Sequence, residues 1–346
     1  MSAGATTPGR VTIRDVAGAA QVSTATVSKV LNHRPDVGPV VRQRVLDTID
    51  RLGYRPSATA RSLRVRRSDT IAIITDDLEG IFTSAMMRGV DDAASAFDVS
   101  VFLCNSYGDP ERERGHLLRL LDKQVDGVIF MSGNRVRRRS APAVALGDVP
   151  HIFLYEYSDD EATPCVLPDD EQGARLAVDH LLAAGARRIG FINGPIGWDA
   201  SHDRLRGYQQ TLRQQTVPVD PALTVFADSW NPEEGYRIAT DLMALPSPPD
   251  ALFCASDDLA TGALAALHDL GRAIPEDVSV VGFDDRPLAV HQHPPLTSVA
   301  LPLTTMGRIA GEMLLAAGRD EPVVPGVHRV PCTLQIRQST AKAGSN

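Results

Sequence analysis

Residues 11–32 read VTIRDVAGAAQVSTATVSKVLN, and the spacing of a few side chains among them decides how the chain begins to fold. Thr12 and Asp15 stand three apart, the spacing of a helix N-terminus whose cap and acid satisfy free amides, and Val16, Ala17 and Ala20 follow at helical intervals. A first helix is expected over 13–20. Gln21 and Val22 make a tight turn, after which Ser23 is a good N-cap for a second helix over 24–31 with Val27, Val30 and Leu31 on its apolar side. A third helix over 39–52 opens on Pro39, turns Val41, Val45, Ile49 and Leu52 inward and stops at Gly53. Two short helices joined by a tight turn form a helix-turn-helix. The second helix leaves outside Thr24, Thr26, Ser28 and Lys29. Hydroxyls there reach base edges or phosphates, and the cation reaches guanine acceptors or a phosphate.

The competing reading, a polar helix with no ligand, is opposed by charge. Residues 1–68 hold 12 Lys and Arg against 4 Asp and Glu, a balance of +8 in a chain whose net charge is −8, so the remainder carries −16. A basic head on an acidic body points to a nucleic-acid-binding unit attached to a part that avoids polyanions. The 346 residues, 43% hydrophobic, suit two or three domains with a substantial core. No apolar run approaches the roughly 18–20 residues of a membrane helix. The opening MSAGATTPGR has no apolar segment of a secretory signal. A soluble, cytoplasmic, nucleoid-associated protein is expected. Cys104, Cys165, Cys254 and Cys332 lie far apart with no CxxC, which argues against a zinc knuckle or disulfide framework. His291 and His293 have no third ligand nearby, and a metal or cofactor is not expected. There is no GxSxG elbow or GxxxxGK loop, so catalysis has no positive signal.

Beyond residue 69, apolar strand-like runs alternate with amphipathic helical segments, the pattern of a doubly wound α/β structure. Runs at 71–74, 99–104, 128–131 and 152–154 are expected to form one parallel sheet, and those at 189–192, 223–226, 251–254 and 278–283 a second. Helices such as 175–184 and 259–270 would cover their faces.

The N-terminal motif, followed by LGYRPSATARSL at 52–63, resembles the DNA-binding head and hinge of the lactose-repressor/purine-repressor family of bacterial transcription regulators. The likeness continues through VLPDDEQGARLAVDHLLAAGARRIGFINGP, DRLRGY, CASDDLATGALAALHDLG and VSVVGFDD, covering roughly residues 11–340. One departure is Gln21, where the family often has glycine. A left-handed residue there costs about 1 kcal/mol without glycine. The resemblance implies an α/β fold with an N-terminal all-α helix-turn-helix head and a two-lobed, periplasmic-binding-protein-like body. The expected domains are a lead over 1–10, a head over 11–56, a hinge helix and linker over 57–69, and an effector-binding and dimerisation body over 70–340. Lobe one is placed at about 70–166 and 297–322, lobe two at about 167–296 and 325–340, with crossovers near 166–169, 291–296 and 322–327.

For the head, the resemblance implies DNA contacts from Thr12, Ser23, Thr24, Ala25, Thr26, Ser28, Lys29 and Asn32, with Tyr54 at the end of the third helix. In the hinge it adds Ser57, Ala60 and Arg61, and makes Leu63 the residue that wedges into the minor groove at the operator centre. A solvated basic tether is the alternative.

In doubly wound sheets ligands bind beyond the carboxyl ends of the strands. That rule selects Asp76 and Asp77, with Phe82 a turn later, and then Asn193, Trp230, Asp257 and Asp284. The resemblance makes Arg204 of DRLRGY, Asp257 of CASDD and Trp230 effector contacts. An arginine fork, a carboxylate and an indole face together suit a sugar, while Asn231 stands where a purine-binding relative has an acid. Arg204 and Asp257 pairing with each other or with local carboxylates remains open. The expected partners are a near-palindromic DNA operator, a small-molecule effector with carbohydrate favoured, and a second copy of the chain. Alternatives are a sugar-binding protein with no DNA role, a purine- or nucleoside-sensing regulator, and an enzyme on a similar body. No leucine heptad closes the chain, so a dimer is expected rather than a coiled-coil tetramer.

Overall fold

The backbone N–H of Thr12 donates to Asp15 Oδ2 at 2.8 Å, and helix α1 runs Ile13–Ala19 from that point. The structure, a computed structural model, describes residues 11–54, 67–133, 146–158, 160–319, 321 and 323–341. The chain divides into two units, residues 1–68 and 69–346.

In the first unit, α2 (Thr24–Leu31) is capped by Ser23, whose hydroxyl accepts from the Thr26 N–H at 3.1 Å. Helix α3 (Pro39–Leu52) ends at Gly53, held in the left-handed conformation at φ 60°. Val16, Ala17, Ala20, Val27, Val30 and Val45 make the buried core, with Leu31, Ile49, Leu52 and Tyr54 packed around it. Val41, expected inside, is half-buried. The turn between α1 and α2 puts Gln21 at φ 52°, the left-handed geometry that glycine adopts without strain.

The second unit holds two six-stranded sheets. The first comprises β1 (Thr70–Thr75), β2 (Ser100–Asn105), β3 (Gly127–Met131), β4 (His151–Leu154), β5 (Cys165–Pro168) and a late strand, β11 (Val327–Val330), in the order β11-β5-β4-β3-β1-β2. The second comprises β6 (Ile189–Asn193), β7 (Thr224–Phe226), β8 (Ala251–Cys254), β9 (Ser279–Asp284), β10 (Thr297–Ala300) and β12 (Thr333–Gln335), in the order β12-β10-β9-β8-β6-β7. All neighbours pair in parallel except β12, which runs antiparallel to β10. Alternation along β1 serves two faces. Ile71 and Ile73 pack with Met86 and Val90 of α4 (Thr83–Ser95), whereas Ala72 and Ile74 pack with Leu117 and Leu120 of α5 (Pro110–Asp122).

Helices α6 (Asp170–Ala183), α7 (Asp199–Gln214), α8 (Pro232–Met243) and α9 (Asp257–Asp269) flank the second sheet, and α10 (Leu303–Ala317) returns to the first. Helices α8 and α9 touch backbone to backbone: a methyl on Gly262 would strike the Pro232 carbonyl oxygen. Two of the expected crossovers move. Thr297–Ala300 pairs with β9 and not with lobe one, so the chain leaves lobe two only at 301–302. Val327–Val330 pairs with β5, which shifts the last crossover from 322–327 to 331–332. Both strands are short, four residues each, and the neighbour each pairs with, not periodicity, assigns it to a sheet.

Candidate functional site

On the head, Thr12, Ser23, Thr24, Ala25, Lys29 and Asn32 are exposed, and Thr26 and Ser28 are half-buried. The side chains are already ordered by local bonds. Ser23 Oγ lies 2.9 Å from Thr26 Oγ1, Asn32 Nδ2 donates to the Ser28 carbonyl at 2.6 Å, and Lys29 Nζ sits 2.6 Å from Asp36 Oδ2. Lys29 is thus paired in the absence of DNA. Its partner is exposed, so a phosphate competes with it easily. Tyr54, placed among the DNA contacts from sequence, packs against the head core. Ser57, Ala60, Arg61 and Leu63 lie outside the described residues, as does a second basic run, RVRRR at 135–139.

In the body, a cavity of about 330 Å³ opens where the strands of both sheets end. Lobe one contributes Asp77, Glu79, Ile81 and Phe82 after β1, Gly133 after β3 and Tyr155 after β4. Lobe two contributes Trp198 after β6, Arg204 from α7, Trp230 after β7, Ser256 and Asp258 after β8, and Asp284 at the end of β9. The aromatic walls face each other across the lobes. Phe82 and Tyr155 lie 5.5 Å apart by ring centroids, and Trp198 meets Trp230 edge to face at 5.6 Å. Gly194 allows this packing, because a methyl there would overlap the Trp230 ring. The Trp230 Nε1 proton has no partner among the described residues.

Arg204 forms the floor. It is 2% exposed, with Nε donating to Asp170 Oδ1 at 2.9 Å, Nη1 to the Ala255 carbonyl and Nη2 to Asp284 Oδ1 at 3.5 Å, and its guanidinium lies 3.8 Å from the centroid of the Phe283 ring. Asp284 has φ 102° and Asp285 φ 49°, a strained strand end of the sort that collects at binding sites. Burial pushes the Asp284 carboxyl well above the ordinary range, despite the opposing pull of Arg204.

Four of the seven effector residues expected from sequence, Phe82, Arg204, Trp230 and Asp284, therefore line the cavity. The other three brace it. Asp76 accepts from Ser132 Oγ and the Gly133 N–H, both at 2.8 Å. Asn193 spans the Ser201 carbonyl and the Gly194 N–H. Asp257 accepts from Ser298 Oγ at 2.6 Å and the Arg286 N–H at 2.7 Å, and Arg286 then pairs with Asp258. Burial raises Asp257 to about 7, against these two hydrogen bonds. The strand-end rule chose the right loops, but adjacent residues in a loop point to opposite sides, and the neighbours Asp77 and Asp258 are the ones that reach the cavity. Trp198 after β6 and Tyr155 after β4 obey the same rule, and no residue-type pattern in the sequence singles them out. Asp170 begins a helix at a crossover and has no local signal.

Outside the cavity the lobes meet in a second polar cluster. Tyr157 Oη donates to Asp203 Oδ2 at 2.6 Å, and Arg329 of β11 reaches the same carboxylate at 3.1 Å and Tyr157 Oη at 3.0 Å. Arg206 pairs with Asp203 from the lobe-two side.

Residues 12–57 match the family described as "Bacterial regulatory proteins, lacI family", and residues 178–340 match the "Periplasmic binding protein-like domain". Catabolite control protein A of Priestia megaterium is 35% identical over 95% of this chain and 99% of its own length. The chain belongs to the lacI family of bacterial regulatory proteins. The ribose operon repressor of Halalkalibacterium halodurans is 34% identical over 97% of this chain and 98% of its own. Among solved structures, a lac repressor dimer bound to operator and the anti-inducer ONPF superposes with a TM-score of 0.79 at 27% identity, covering 96% of this chain and all of that one. A CelR–cellobiose complex superposes with a TM-score of 0.66 at 31% identity, covering 95% of this chain and all of that one. This lacI-family member is a DNA-binding transcription regulator responsive to a small molecule, not an enzyme. None of its described helices is long and apolar enough to cross a membrane.

Proposed function

We propose that the protein is a cytoplasmic, nucleoid-bound repressor that binds a near-palindromic operator as a homodimer and changes its DNA affinity when a carbohydrate occupies the cavity between the lobes. The observation that carries the effector reading is the cavity itself: aromatic rings on both lobes, a buried arginine and several carboxylates, the combination that holds the apolar face and the hydroxyls of a sugar. The α2 face, with Thr24, Thr26, Ser28 and Lys29, reads the major groove, while Thr12, Ser23, Ala25 and Asn32 position it and contact phosphates. Tyr54 acts through the head core against which it packs. In the hinge, Ser57, Ala60 and Arg61 flank Leu63, which wedges into the minor groove. Domain limits of 11–56, 57–69 and 70–340 serve these three roles. Closure of the lobes on a sugar would change the spacing of the two hinges in a dimer. The lac repressor dimer bound to operator and the CelR complex with cellobiose agree with this reading.

A thermal-shift screen of the full chain against a metabolite library, followed by operator binding with each hit, tests it. A sugar that raises the melting temperature and alters operator affinity is expected. A hit confined to purines, or one that leaves operator affinity unchanged, would contradict it.

A further inference from the structure

The charge of the cavity narrows the class of sugar. Four carboxylates line it, Asp77 and Glu79 from lobe one and Asp258 and Asp284 from lobe two, against one cationic lining residue among those described, Arg204. That cation is already committed. Its guanidinium bonds to Asp170, to the Ala255 carbonyl and to Asp284, and lies over the Phe283 ring. Arg286, whose backbone N–H donates to Asp257, is held by Asp258.

An anion entering this space would meet Asp77 and Glu79 of lobe one and Asp258 of lobe two, with the guanidinium turned to its own acids, in surroundings where charges are poorly screened. The N-terminus of a long helix can hold a phosphate, and α7 does begin at the cavity wall, where Trp198 and Ala200 line it. Its first turn carries Asp199, however, and α9, which also begins at the wall, carries Asp257 and Asp258; α4 begins there with no acid in its first turn, but Asp77 and Glu79 just before it line the same cavity and place negative charge at that end. Carboxylates facing a cavity are instead good acceptors for hydroxyl protons, and the raised Asp284 carboxyl can also donate one.

We infer that the effector is an unphosphorylated sugar, and that adding a phosphate to it abolishes recognition. The inference rests on the carbohydrate reading of the cavity and adds a rule of exclusion to it. The signal is then a sugar as it stands before any kinase acts: hydrolysis of a glycoside or uptake without phosphorylation supplies it, and a sugar kinase removes it.

The test is calorimetric titration of the full chain with matched pairs: glucose and glucose 6-phosphate, ribose and ribose 5-phosphate, trehalose and trehalose 6-phosphate, together with cellobiose, maltose and hypoxanthine. At least one unphosphorylated sugar should bind, and its phosphate should bind about a hundredfold more weakly or not at all. In the Asp77→Asn, Asp258→Asn double variant this gap should narrow at least about tenfold, because the repelling charges are gone and Arg286 is released. A sugar phosphate that binds as well as its parent sugar overturns the inference while leaving the carbohydrate reading intact. Hypoxanthine binding with no sugar binding overturns both. Silence from all the unphosphorylated sugars, or a gap unchanged in the double variant, also overturns the inference.

Discussion

Arg204 was selected as an effector contact, and its environment gives it a structural duty as well. Two buried carboxylates, Asp170 and Asp284, converge on it. Removing one partner of a buried ion cluster leaves charge stranded at low dielectric and costs about 3–5 kcal/mol. Arg204→Met should therefore lower the stability of the body by that order in urea unfolding, even with no ligand present. A loss below about 1 kcal/mol would mean the guanidinium serves the ligand alone. Asp257 makes a pH prediction. Its carboxyl is raised by burial to about 7 in the folded chain and returns to about 4 when unfolded. Between those values the folded state holds the extra proton, so this residue's stabilising effect is complete below about pH 4 and is lost as pH rises to about 7. Asp284, also raised, acts in the same direction. The body should melt at a higher temperature at pH 5 than at pH 8, and Asp257→Asn, whose Oδ1 can still accept from the Arg286 N–H while its Nδ2 donates to Ser298 Oγ, should shrink that difference. An unchanged difference would assign the slope to other groups.

At the scale of elements, what was legible in the sequence was whatever is local. Helices α2 and α3 have the limits that their caps and breakers imply, and eight of the strands fall within a residue or so of their apolar runs. Two things were not legible. The sheet membership of β10 and β11 is set by pairing, to β9 sixteen residues earlier for β10 and to β5 more than a hundred residues away for β11, and the direction of a side chain within a strand-end loop depends on the loop's own turn, which is why Asp257 is expected where Asp258 lines the cavity. The Tyr157–Asp203–Arg329 cluster belongs to the same class, since it joins residues 46 and 126 positions apart. Because Asp203 and Arg204 are neighbours on α7, the cluster couples the cavity floor to lobe one. Asp203→Asn should weaken the lobe contact and enlarge the radius of gyration of the unliganded body in small-angle scattering, and an identical scattering curve would show that the cluster does not hold the lobes.

For the whole molecule, a basic head and an acidic body of opposite net charge divide the work between DNA and a small ligand. Non-specific affinity should follow the phosphate contacts and fall steeply with salt. Specific affinity should depend in addition on the hinge. Leu63→Ser is expected to weaken binding to the operator far more than to random DNA, and equal losses would contradict the wedge. The account stands most directly on selection of random-sequence duplexes by the full-length protein, with and without the sugar that stabilises it. It predicts enrichment of a near-palindrome whose recovery changes when the sugar is present; failure to enrich any palindrome under either condition would contradict it.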